Sequence, residues 1–204
     1  MPYLIYLQVH AQTYELARQQ ANLSEIHWEL VKKVLRYLAG TKNLGIVIGR
    51  DNSTFKVFLD ASFVSTVDRK STSGCVILHN SNPVYWKSRA QRIRSDSSGI
   101  SEYIALYDAA KVANGILNFY SDLFEVNRFT VPIYCDASTS VCMANTLNTN
   151  SCKYIHVKYL YIKEYVNQGL FEIVKIGKDE QLANLLTKPV TTDIFQTLVP
   201  RSMN

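Results

Sequence analysis

Three carboxylates, Asp60, Glu102 and Asp136, are the residues whose types and positions point to chemistry. Asp60 closes an alternating apolar run that begins at Phe55, and Asp136 closes the short apolar run 131–135. In α/β folds such strand ends gather ligands, because neighbouring parallel strands present their carboxyl ends at one edge. Glu102 opens a long helical pattern and is expected in its first turn, where the helix dipole favours negative charge. Three acids converging with no basic partner in sequence repel one another unless a cation lies among them. Hard oxygen donors of this kind favour Mg²⁺. Taken singly, each acid has a plainer role, as a turn former after a strand or a charge complementing a helix terminus.

The elements that would position these acids follow from hydrophobic periodicity. Ser24 is placed to cap a first helix in which Trp28, Val31, Leu35 and Leu38 recur at helical spacing, with a Glu29–Lys33 pair on its other side and Gly40 at its end. A strand-like stretch at 44–48 follows. Runs at 54–60, 74–79 and 83–87, the last two joined by Asn80-Ser81-Asn82, predict a three-strand meander. Leu106, Ala109, Ala110, Ala113, Leu117 and Tyr120 then form the buried stripe of a long helix ending near Phe124. A strand at 131–135 comes next, then helices from about Thr139 and from Tyr154, the latter with Val157, Tyr161 and Tyr165 on one side. Gly169 ends that helix, 170–176 is a fifth strand, and 180–187 predicts a last helix before Pro189. The fold class is therefore α/β: a mixed five-stranded sheet, an antiparallel meander plus parallel strands, with helices on both faces and a helical segment in front.

Composition supports one sizeable core, since the 204 residues are 47% hydrophobic and 19% charged. The net charge of +5 is spread over Arg69, Lys70, Lys87, Arg89, Arg92, Arg94, Lys153, Lys158 and Lys163, which suits a folded basic face meeting a polyanion better than a basic tail. The plainer reading is an ordinary solvated surface. The four cysteines lack metal-ligand spacing, there is no signal-peptide pattern, and no apolar run approaches the ~18 residues of a membrane span. These features lead us to expect no membrane partner and an intracellular location, in cytoplasm or nucleus.

The local sequence around each acid carries a resemblance. Phe58-Leu59-Asp60-Ala61-Ser62, Arg69-Lys70-Ser71-Thr72-Ser73-Gly74, Tyr85-Trp86-Lys87-Ser88, Ser101-Glu102-Tyr103-Ile104-Ala105-Leu106, Ile133-Tyr134-Cys135-Asp136 and Gln181-Leu182-Ala183-Asn184-Leu185-Leu186-Thr187-Lys188-Pro189 resemble, in order, the motifs of the ribonuclease H region of copia-type LTR retrotransposon Pol polyproteins. The segment from His27-Trp28 to Gly40-Thr41 is similar to the end of their reverse transcriptase and its linker. The resemblance implies a ribonuclease H-like domain over 51–190, a helical remnant of the linker over 1–50 and a tail over 191–204. It implies hydrolysis of the RNA strand of an RNA–DNA hybrid by a two-metal mechanism, with Asp60, Glu102 and Asp136 as catalytic metal ligands. Mg²⁺ is the expected cofactor, with Mn²⁺ an alternative, and the partners would be the hybrid and a reverse transcriptase domain supplied separately.

Asn184 stands where the family has aspartate. Its amide oxygen can still ligate a metal, weakly, but it brings no negative charge and cannot act as a base. Gly99-Ile100, Tyr154, His156 and Leu160 also depart from the family pattern. These departures define the alternative: a catalytically inactive nucleic-acid-binding or remnant domain.

Overall fold

A computed structural model describes residues 23–40, 54–66, 69–138 and 153–188, with a few isolated positions besides. The expected strand at 44–48, the expected helix from Thr139 and the tail 191–204 lie outside the described residues. So do the side chains of Tyr154, His156 and Val157.

Helix α1, Glu25–Gly40, begins where Ser24 predicts. The Ser24 carbonyl accepts from the amides of His27 and Trp28 at 3.0 and 3.2 Å, while its hydroxyl lies 2.9 Å from His27 Nδ1 and not on a helix amide. Glu29 pairs with Lys32 and, at 4.0 Å, with Arg36, not with the expected Lys33. The i+3 and i+4 positions flank the same carboxylate on a helix surface, so either can take it. The apolar stripe of α1 stays open: Trp28 is 57% and Leu35 58% exposed, and Val34 is the helix's buried residue.

Five strands, β1 Lys56–Ser62, β2 Thr72–His79, β3 Asn82–Ala90, β4 Val131–Cys135 and β5 Phe171–Lys175, form one sheet in the order β3-β2-β1-β4-β5. The meander β1–β2–β3 is antiparallel, and β4 runs parallel to β1 and β5. Asn80 and Ser81, both at positive φ, make the two-residue turn between β2 and β3, a geometry whose twist matches that of the flanking strands. Helix α2, Ser98–Phe124, lies across the sheet, and α3, Lys153–Asn167, packs beside it. Ala105, Ala109, Ala110 and Ala113 are buried against Leu59, Ile77 and Ile133, and their small side chains let α2 approach the strands closely. Tyr161 and Tyr165 of α3 complete this layer, Tyr165 stacking on Phe171 with centroids 5.8 Å apart.

The opposite face of the sheet is met by the end of the described chain. The helix expected over 180–187 is broken: a 3-10 turn, Lys178–Glu180, is followed by α4, Asn184–Thr187. Two side-chain bonds, one of them long-range, impose the break. Gln181 Nε2 donates to the Tyr134 carbonyl at 3.3 Å, and Asn184 Nδ2 donates back to the Lys178 carbonyl at 2.9 Å. Side-chain alternation along β1 and β2 turns Leu59 and Cys75 toward α2 and turns Asp60 and Gly74 toward α4. Helices therefore cover both faces, as the sequence pattern predicts.

Candidate functional site

Asp60 is 1% exposed and pairs across the antiparallel ladder with Gly74. A Cβ on Gly74 would lie 2.8 Å from both Leu186 Cβ and Thr187 Cγ2 and 3.0 Å from the Ala183 carbonyl oxygen. Only a residue without a side chain lets α4 sit this close to β2. The Ser88 hydroxyl fastens it there, donating to the Leu186 carbonyl at 2.6 Å across 98 residues of chain. So docked, α4 delivers the Thr187 hydroxyl to Asp60 Oδ2, and Lys188 Nζ lies 3.6 Å from the same oxygen. Burial holds the Asp60 carboxyl above its ordinary range. The Thr187 hydrogen bond and the Lys188 ammonium oppose that effect, and Asp136 adds to it.

Glu102 sits one turn further into its helix than expected. The chain becomes helical at Ser98, with Ser97 as cap accepting from the Ile100 amide at 3.3 Å, so the first turn carries no acid. Gln91 ties this helix start to the sheet. Its Nε2 donates to the Ser101 carbonyl at 2.7 Å and to Ser73 Oγ at 2.8 Å, and its amide donates to the Ser71 carbonyl at 2.7 Å. Glu102 is 9% exposed, and its Oε2 is buried without a hydrogen-bond partner. Burial, then repulsion from Asp60 and Asp136, pushes its carboxyl up to about 8 against the partial relief of the Ala61 amide and Lys188.

Asp136 follows β4. Phe58 pairs with Tyr134 in the parallel ladder, and Asp60 and Asp136 each lie two residues further on, so both acids leave the sheet at one edge. Carboxylate oxygens of Glu102 and Asp136 and the Cys135 sulfur all lie within 4.8 Å of one another. Glu102 and Asp136 thus face each other, while Asp60, close enough to raise the Glu102 carboxyl, is engaged by Thr187 and Lys188. Asn184, 4% exposed, donates its amide N–H to Lys178 and keeps Oδ1 buried without a partner. A buried carboxylate oxygen with no donor, on a Glu102 whose pKa is held up by burial and by neighbouring acids, fits a divalent cation with oxygen ligands.

Three contributions escape sequence reasoning. Thr187 and Lys188 belong to the quoted Thr187-Lys188-Pro189 motif, but nothing in their spacing indicates Asp60, 127 residues away. Gln91 lies in no motif. Cys135 alternates with Tyr134 as a core residue and is one, yet its sulfur borders the acids. Burial pushes its thiol up to about 12, so in the metal-free protein it is a neutral neighbour.

Beside this site a cleft of about 370 Å³ runs between the β2–β3 hairpin and α2. Lys87, Arg89, Arg92, Lys111 and Lys158 line it, with Lys158 Nζ 5.1 Å from the centre of the Tyr107 ring. Four of these cations belong to the basic face expected from the sequence, and the fold gathers them next to the helix that carries Glu102. Asp108 partly balances them. No described helix is long and apolar enough to cross a membrane.

No family model matches the chain. It is 29% identical over 183 residues to the retrovirus-related Pol polyprotein from transposon TNT 1-94 of Nicotiana tabacum, covering 89% of this chain and 14% of that one. It is 32% identical over 174 residues to the corresponding polyprotein from transposon RE2 of Arabidopsis thaliana, covering 83% and 12%. The chain thus spans 12–14% of the length of these relatives. Among solved structures it is similar to LC11-RNase H1, isolated from compost, with a TM-score of 0.50 and 16% identity over 66% of this chain and 92% of the other. A crystal structure of LC11-RNase H1 in complex with an RNA/DNA hybrid gives a TM-score of 0.50 at 15% identity, over 66% and 94%. At such identity the structural likeness speaks for the fold alone. The chain is similar in sequence to a segment of the retrovirus-related Pol polyproteins of plant transposons and has the ribonuclease H fold.

Proposed function

We propose that this chain hydrolyses the RNA strand of RNA–DNA hybrids, with residues 51–190 as the catalytic unit and Asp60, Glu102 and Asp136 as the ligands of divalent cations, Mg²⁺ or Mn²⁺. The observation that carries this reading is the pairing of Glu102 with Asp136 at a buried sheet edge, with Glu102 Oε2 left without a partner. When bound, the cations would supply an activated water and stabilise the leaving 3′ oxygen. The chain's own residues have separate tasks. Glu102 and Asp136 would ligate the cation, Thr187 and Lys188 fix the orientation of Asp60, and Gln91 fixes the start of α2. The basic cleft beside α2 supports the reading through backbone phosphates, whose recognition in a hybrid depends on shape and the 2′-hydroxyl more than on bases. A reverse transcriptase domain would be a further partner, in cytoplasm or nucleus.

The test is cleavage of end-labelled RNA within a hybrid in Mg²⁺ and in Mn²⁺, with Asp136→Asn as control. Cleavage lost in the variant is expected. Wild-type cleavage no faster than the variant's in either metal removes the reading. Two observations favour a second reading, a nucleic-acid-binding domain without activity: Asn184 brings no charge where the motif has an acid, and Lys188 already neutralises part of Asp60. An inactive protein that binds hybrid with strong salt dependence would select it.

A further inference from the structure

We propose that Glu102, Cys135 and Asp136 form a binding site for a thiophilic divalent cation, Zn²⁺ or Cd²⁺, with the Cys135 sulfur as a direct ligand. The ligand atoms of these residues all lie within 4.8 Å of one another, and among the described residues they are the one such gathering of His, Cys, Asp and Glu. An independent sign of a missing partner accompanies them. Glu102 is nine-tenths buried, and its Oε2 accepts from nothing in the protein. Asp60 is not part of this set; the Thr187 hydroxyl and the Lys188 ammonium engage its Oδ2.

Donor chemistry sets the class of cation. Carboxylates alone would take Mg²⁺, which seldom accepts sulfur, whereas one sulfur with two carboxylates suits Zn²⁺ and softer ions. Binding replaces the S–H bond of Cys135 with a sulfur–metal bond and releases the proton to solvent, with no change of oxidation state. The thiol now lies 3.8 Å from the Ala137 carbonyl, a weak contact that a metal bond readily displaces. The site shares Glu102 and Asp136 with the hydrolase proposal but does not depend on catalysis. Only its consequence, that a thiophilic ion would exclude the catalytic one, rests on that reading.

The test uses the purified chain, stripped of metal and titrated with Cd²⁺ while the ultraviolet charge-transfer band of a cadmium–thiolate bond is followed. The wild type should develop the band, Cys75→Ser should keep it, and Cys135→Ser should lose the tightest component. Glu102→Gln and Asp136→Asn leave every thiol in place and should weaken that component by about tenfold or more. They decide the matter if Cys135→Ser does not fold. No band in the wild type overturns the proposal, as does a band unchanged in Cys135→Ser, or Cd²⁺ affinity unchanged in both carboxylate variants. Mg²⁺-dependent hybrid cleavage without a band would refute this site alone. A band without cleavage would keep it and remove the hydrolase reading.

Discussion

Replacing Glu102 with Gln should stabilise the metal-free protein at alkaline pH, although it removes a proposed ligand. Glu102 titrates near 8 in the folded chain against an ordinary 4.5. An acid whose folded pKa is raised binds its proton more tightly in the folded state. The stability it brings is fully present below pH 4.5 and is lost as pH rises through 8. A displacement of that size corresponds to roughly 4–5 kcal/mol, a large part of the ~5–15 kcal/mol that holds a domain together. Glutamine has the same shape and no charge, so it should match protonated Glu102 at pH 4.5 and exceed ionised Glu102 at pH 9 by on the order of 4 kcal/mol. Urea unfolding in EDTA at both pH values measures the difference directly. Added Mn²⁺ should then stabilise the wild type more than the variant, because it binds the ionised pair in the folded state. A variant no more stable than the wild type at pH 9 would refute the claim that burial and mutual repulsion load this site.

Three other outcomes follow from the same contacts. Gly74→Ala should destabilise by about 1–3 kcal/mol in thermal unfolding, because its Cβ meets Leu186 and Thr187 at 2.8 Å and pushes α4 off the sheet. Ser88→Ala leaves the Leu186 carbonyl buried without its donor and should cost about 1–3 kcal/mol by urea titration, with the far-ultraviolet circular dichroism spectrum unchanged. Asn184→Asp should raise Mn²⁺ affinity in calorimetric titration and raise hybrid cleavage with it. Unchanged affinity would mean that position 184 does not face the cation.

What the sequence made legible was the part governed by local pattern. The strand Val131–Cys135 is bounded as its apolar run predicts, because it lies between two strand partners that fix its length. The alanine-rich stripe of α2 is likewise buried where its spacing places it. Periodicity failed where a surface needs a partner to be meaningful. Trp28 and Leu35 form an apolar stripe on α1, yet they stay exposed, since amphipathic spacing tells which way a face points and not what lies against it. It failed again over 180–187, where bonds from Gln181 to Tyr134 and from Ser88 to Leu186 outweigh helix propensity over so short a stretch. In the site, the three acids were readable from strand ends and motifs. The company they keep was not, because Thr187, Lys188, Gln91 and Cys135 reach them only through the folded sheet.

The docking of α4 also has a consequence in time. Asp60 belongs to the first strand of the sheet and Thr187 lies 127 residues later, so the hydroxyl reaches the carboxylate only by closing a very long loop. On a growing polypeptide, the meander and α2 emerge from the ribosome before the segment that fills the groove over Gly74. Until then Asp60 has neither its hydroxyl nor its ammonium partner, and the protein is a nearly complete sheet with an unfinished acidic edge. A chain stopped after residue 176 should hold its β1–β2 amides against hydrogen exchange but lose the protection of its edge near Ser88. The partners of Asp60 are thus a late event, arriving with one four-residue helix.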